Sequence, residues 1–170
     1  MRAVVVYESM YGNTHDIANH VAEGLLAAYT VEVLPVEAAT PERIAGADLL
    51  VVGGPTHVHT MTSKKSRAAA IDAAAKDHEL ELDEHATDPG LRDWFDSLVG
   101  PGKAAAFDTR IDANPVLTGR ASRGIAKRLR KHGCTLVAEP ESFLVDKHNH
   151  LLDGEAEHAV AWGKELAATH

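Results

Sequence analysis

Ala3-Val4-Val5-Val6-Tyr7-Glu8-Ser9-Met10-Tyr11-Gly12-Asn13-Thr14 decides the reading of this chain. An apolar run of strand length passes through a short Ser/Gly/Asn turn into a helical pattern, with Ile17, Val21 and Leu25 at four-residue spacing and Asp16, Asn19 and Glu23 between them. The first turn of a helix leaves backbone N–H groups unpaired and carries partial positive charge, so a strand, small hydroxylated turn and helix start make an anion site. A phosphate fits such a place. Asn13 or Thr14 acting only as a cap, with Gly12 relieving a tight turn, would produce the same local pattern.

Working outward, apolar runs alternate with helical patterns. Strands are expected at 3–7, 31–36, 48–52, 103–107 and 134–138, the last extending irregularly toward Val145. Helices are expected at 14–28, from Thr40, at 66–76, 91–98, 119–131 and 153–168. This alternation predicts a parallel sheet covered on both faces. Val31-Glu32-Val33-Leu34-Pro35-Val36 alternates and contains a proline, which cannot donate to a central ladder, so this strand belongs at an edge.

The opening segment resembles the flavodoxin phosphate loop, in which a hydroxyl residue, any residue and a second hydroxyl residue precede Gly-Asn-Thr. Ser9, Gly12, Asn13 and Thr14 match, and Tyr11 takes the second hydroxyl position. Gly53-Gly54-Pro55-Thr56-His57-Val58 resembles the family's second cofactor loop. Phe107-Asp108-Thr109-Arg110 matches the third loop in place alone.

The resemblance implies an α/β fold: a flavodoxin-like, doubly wound, five-stranded parallel sheet of order 2-1-3-4-5 in three αβα layers, with the ligand at the carboxyl ends of the strands. It also implies FMN. Ser9, Met10, Tyr11, Gly12, Asn13 and Thr14 would hold the phosphate. Pro55, Thr56, His57 and Val58 would hold the ribityl chain and ring, and Phe107, Asp108, Thr109 and Arg110 the pyrimidine end. Electron transfer or flavin-dependent reduction follows as the expected function, with a redox protein or a small acceptor, or NAD(P)H, as partner. Aromatic residues make up only 5% of the chain, too few for the usual ring sandwich. An open ring face favours a reductase over a carrier; loss of productive flavin binding would instead leave a regulatory or interaction module of the same fold.

Composition bounds the alternatives. At 170 residues the chain is expected to form one domain over 1–170, with an acidic insertion at about 77–90. Its net charge of −8 disfavours nucleic acid and anionic membrane as partners. One helix runs against that charge: Arg120, Arg123, Lys127, Arg128, Arg130 and Lys131 fall within 119–133 with no acid, and Ala121, Ile125 and Leu129 form its inward stripe. The acidic insertion reads as a solvated excursion. Trp94 and Phe95 read as core residues of a short helix.

The lone cysteine, Cys134, begins an apolar run and is expected to be a buried thiol in a cytoplasmic protein. His57/His59 and His148/His150 have a chelating i, i+2 spacing, but no third ligand accompanies either pair, and no metal centre is predicted. Oligomeric state is left open by the sequence.

Overall fold

The computed structural model describes residues 1–99 and 102–169. Seven strands lie in chain order: β1 (Arg2–Tyr7), β2 (Thr30–Pro35), β3 (Leu49–His57), β4 (Thr60–Met61), β5 (Lys103–Ile111), β6 (Thr135–Leu136) and β7 (Glu141–Val145). The helices are α1 (Asn13–Leu25), α2 (Pro41–Ile44), α3 (Lys64–Lys76), α4 (Leu91–Phe95), α5 (Pro115–Thr118), α6 (Ala121–Lys131) and α7 (Glu155–Ala167). The sheet path is β2-β1-β3-β5-β6, and β7 also pairs with β5.

β6 pairs with Lys103–Ala104 and β7 with Phe107–Ile111, both parallel, so the two pieces form one broken fifth strand on the same side of β5. The doubly wound order is therefore 2-1-3-4-5 by position. β4 is a two-residue antiparallel addition to the end of β3. β2 lies at the edge with Pro35 at its last register position, opposite Tyr7, as the missing N–H requires.

Strand alternation sorts the side chains into two cores. Val4, Val6, Leu50, Val52, Ala104 and Ala106 face α4 and α6, packing with Leu91, Trp94, Phe95, Ile125 and Leu129. Ala3, Val5, Tyr7, Leu49, Val51, Ala105 and Phe107 face α1 and α7 with Ile17, Val21, Leu25, Trp162 and Leu166. This period of two, with both faces apolar, is why the central strands read as continuous hydrophobic runs. Ala121, Ile125 and Leu129 are buried, while Arg123, Lys127, Arg130 and Lys131 remain exposed. Trp94 Nε1 donates to the Ala39 carbonyl at 2.7 Å, which satisfies its one polar group in the core. Burial pushes the Cys134 thiol up, so it stays protonated and unreactive.

Two strands run further than the sequence suggests. β3 continues through Gly53-Gly54-Pro55-Thr56-His57, so the two glycines are strand residues rather than a turn. A side chain on Gly53 would collide with the Phe107 ring, and one on Gly54 would lie 2.7 Å from Leu91 Cδ1. Likewise β5 continues through Phe107-Asp108-Thr109-Arg110 to Ile111, paired with β3 on one side and β7 on the other. Helix ends also differ by a few residues: the expected helix at 119–131 is α6, which starts at Ala121, and Gly119 at φ +73° separates it from the short α5 before it.

The acidic excursion is largely exposed, but its far end is tied down. Asp83 N donates to the Met10 carbonyl at 2.8 Å. His15 Nδ1 lies 3.3 Å from the Asp83 carboxylate. His85 Nδ1 lies 2.5 Å from Glu37 Oε1 and 3.1 Å from Asp88 Oδ2. These contacts fasten the segment to the turn after β1, to α1 and to the turn after β2. Among the described residues no helix is long and apolar enough to cross a membrane.

Candidate functional site

Carboxyl ends of β1, β3, β5 and β7 converge on a crevice of about 310 Å³, within the range of ligand sites. From the expected set it is lined by Ser9, Met10, Tyr11, Asn13, Thr14, Pro55, Thr56, His57, Val58, Thr109 and Arg110. Elements far apart in sequence, the first, third and fifth strands, thus bring eleven of these residues to one place.

The loop at 9–14 is shaped for close approach. Gly12 stands at φ +92°, ψ −20° as the residue before α1, and no side chain caps that helix. This left-handed conformation strongly favours glycine. Ser9 Oγ accepts from Gly12 N at 3.0 Å, so the Ser9 hydroxyl still has its proton to donate. Asn13 Nδ2 donates to the Asn149 carbonyl at 2.5 Å. The Thr14 and Thr109 hydroxyls lie 2.7 Å apart and lock α1 to β5. Tyr11 is directed differently: its hydroxyl donates to the Ala70 carbonyl of α3 at 3.1 Å, which docks the loop on that helix.

Glu8 turns away from the crevice. Its carboxylate accepts from the Thr62 hydroxyl and, at 2.8 Å, from Leu91 N at the start of α4.

The other two stretches divide between crevice and scaffold. The Thr56 hydroxyl accepts from Ala121 N at 2.9 Å, fixing the start of α6. Desolvation, with the Arg67 cation adding to it, holds the His57 imidazole below its usual range, so the ring is neutral at neutral pH. Val58 and His59 have φ of +46° and +70° in the tight turn between β3 and β4; for a β-branched residue this is strained backbone.

Phe107 and Asp108 do not line the crevice. Phe107 is a core residue against Phe143 and Trp162. Asp108 is fully buried and accepts from Ser122 N at 2.7 Å. Their backbones are occupied in the ladders of β5, which is why the expected loop begins only at Asp112. Thr109 and Arg110, at the end of that strand, do reach the crevice. Arg110 donates to the Ile111 and Ala113 carbonyls at 3.3 and 2.9 Å, and its Nε is buried with no partner among the described residues.

Ser66 and Ala69 of α3, Ile111, Val145 and Asn149 also line the crevice. Only Asn149 left a local signal. Asp146 Oδ1 accepts from His148 N and His150 N, and Asn149 takes φ +62° between them, an Asx-type turn that asparagine suits. His148 and His150 are therefore turn residues held by Asp146.

The electrostatics are one-sided. No lining residue of the crevice is acidic and one, Arg110, carries a fixed positive charge, on a chain of net charge −8. An uncapped helix start, a free hydroxyl proton, a guanidinium with an orphaned N–H and apolar walls suit a ligand with an anionic end and a flat, hydrogen-bonding body. FMN has that form.

Residues 5–87 match the flavodoxin family model. No curated protein matches the chain by sequence comparison. Among solved structures, oxidised flavodoxin 1 from Bacillus cereus superimposes with a TM-score of 0.67 at 20% identity, over 99% of this chain and 98% of that one. A flavodoxin of Streptococcus pneumoniae gives 0.66 at 19%, over the whole of both chains. The flavodiiron core of Flv1 from Synechocystis gives 0.65 at 16%, over 99% of this chain and 35% of that one. The family match, which contains the loop at 9–14 and all of β3, and the superpositions together show a flavodoxin-like fold whose first half resembles the flavodoxin family, a family whose cofactor is FMN.

Proposed function

We propose that this protein binds FMN non-covalently in the crevice as a single-domain cytoplasmic electron-transfer protein, exchanging electrons with a redox protein or a small-molecule acceptor. The observation that carries this reading is the acid-free crevice ending at the uncapped start of α1. When bound, the flavin supplies the one- and two-electron chemistry. The chain's own residues bind and orient it. The Ser9 hydroxyl and the first N–H groups of α1 meet the phosphate, Asn13 holds the loop against Asn149, and the Thr14–Thr109 contact fixes the distance between helix and sheet. Neutral His57 offers a flat surface without competing charge. Arg110 offers its orphaned N–H and its charge to the pyrimidine end.

Among the described residues the aromatic rings lining the crevice are those of Tyr11 and His57, and Tyr11 is anchored to Ala70. That scarcity supports the reductase variant of the reading, in which an open ring face admits a small molecule. It equally supports an interaction module without productive flavin. The visible absorption spectrum of the purified protein, before and after FMN addition and removal of excess, separates them. Retained flavin supports the cofactor reading. A colourless protein that takes up none overturns it.

A further inference from the structure

A second cavity, of about 440 Å³, opens beside the crevice and shares His57, Val58, Ser66 and Ala69 with it. Its remaining wall comes from β4, the start of α3 and α4, and includes Met61, Lys65 and Arg92. Met61 is buried beneath it. Lys65 is exposed at the first turn of α3. Arg92 is held in place: Nε donates to the Thr62 carbonyl at 2.7 Å and an Nη to the Met61 carbonyl at 3.1 Å.

Two features point to the occupant. No acidic residue lines the cavity. Among the described residues the ion pairs engage neither Lys65 nor Arg92, so both charges are uncompensated. On a body of net charge −8 an anion is repelled over most of the surface, and a local cation pair with no carboxylate is where one is accepted. A guanidinium fixed by two backbone carbonyls loses little freedom on binding. The strained turn at Val58 and His59 sets Val58, 81% exposed, at the junction of the two cavities.

We propose that this second cavity is a binding site for a small organic anion, its hydrocarbon body seated on Met61, Val58 and Ala69 and its carboxylate, sulfonate or phosphate placed between Lys65 and Arg92. The site adjoins the flavin crevice and shares part of its wall, while Lys65 and Arg92 lie outside that crevice; only its standing as the place of a co-substrate rests on the flavin reading.

The test is calorimetric titration of the full chain, with and without FMN, using naphthalene-2-sulfonate and its neutral counterpart naphthalen-2-ol. The sulfonate is expected to bind about tenfold or more tightly than the alcohol, a preference that weakens with salt. Lys65→Glu is expected to abolish that preference while leaving FMN titration as in the parent, because Lys65 does not line the crevice. Arg92→Gln, checked for folding by circular dichroism, is expected to weaken the sulfonate alone. Equal affinity for the two probes, or sulfonate binding unchanged in Lys65→Glu, overturns the proposal. A protein that takes up no FMN yet keeps the charge preference retains this site and loses the flavin reading.

Discussion

Gly53 on β3 and Phe107 on β5 are register partners, and the Phe107 ring occupies the space that a side chain on Gly53 would need. A Cβ there would lie 2.0 Å from Phe107 Cζ. The ring is fully buried and wedged against Phe143 and Trp162, at centroid distances of 5.9 and 6.2 Å, so it has no room to withdraw. Gly53→Ala should therefore cost about 2–3 kcal/mol of stability through overpacking. Denaturant unfolding measures it, and a loss below about 0.5 kcal/mol would show that the sheet relaxes around the methyl group.

That contact also explains what the sequence conceals. A Gly-Gly-Pro-Thr string reads as a turn because composition reports local preference, while the atom that demands glycine at position 53 comes from Phe107, on another strand. The same limit hid the length of β5, whose residues Phe107 and Asp108 are drawn into ladders by β3 and β7. It also hid Ser66, Ala69, Ile111 and Val145, which reach the crevice through packing of distant elements. Features set by period or by missing donors were legible: the two-faced strands, the edge position of β2 from Pro35, the inward stripe of α6 and the loop at 9–14. Tyr11 was legible as a member of that loop but not in its direction, because the acceptor for its hydroxyl is the Ala70 carbonyl.

Asn13 supports the loop by donating to the Asn149 carbonyl, across the crevice mouth from β7. In Asn13→Leu this donor is lost, an apolar group stands beside the anion site, and the turn at 146–150 loses its tie to α1. FMN affinity is expected to fall by at least roughly tenfold, about 1.4 kcal/mol, the size of one lost hydrogen bond that holds the loop in its binding shape. Fluorescence quenching during FMN titration reads the change. Unchanged affinity in a folded Asn13→Leu protein would remove this loop as the phosphate site.

Asp108 makes stability depend on pH. Its side chain is fully buried, Oδ2 accepts from Ser122 N, and Oδ1 has no partner among the described residues. Burial pushes its carboxyl above the ordinary range, against the opposing pull of Ser122, Ser142 and Arg120. A raised pKa means that the folded state keeps a proton the unfolded chain has already released. No cost is present below the ordinary carboxylate value of about 4, and the cost grows as pH rises toward the folded value and is constant above it. Asp108→Asn keeps an acceptor for Ser122 and removes the titration. Its stability relative to the parent should improve between about pH 4 and pH 7. Urea midpoints measured for both proteins across that range test this, and a difference independent of pH would contradict it.

Arg110 should set the electron affinity of a bound flavin. Among the described residues it is the one fixed charge lining the crevice, and its contacts to the Ile111 and Ala113 carbonyls hold the guanidinium without neutralising it. Reduction adds negative charge to the ring system, so a nearby cation favours the reduced form and raises the potential. Arg110→Gln keeps a donor for the backbone carbonyls while removing the charge. In protein that retains FMN, the two-electron midpoint should fall by roughly 30–60 mV, which at about 1.4 kcal/mol per 30 mV is the size of one partly screened charge interaction. Spectroelectrochemical titration of the two proteins in matched buffer gives the difference directly. A midpoint that stays level or rises would place the pyrimidine end away from Arg110, and would assign the orphaned Nε a purely structural part at the end of β5.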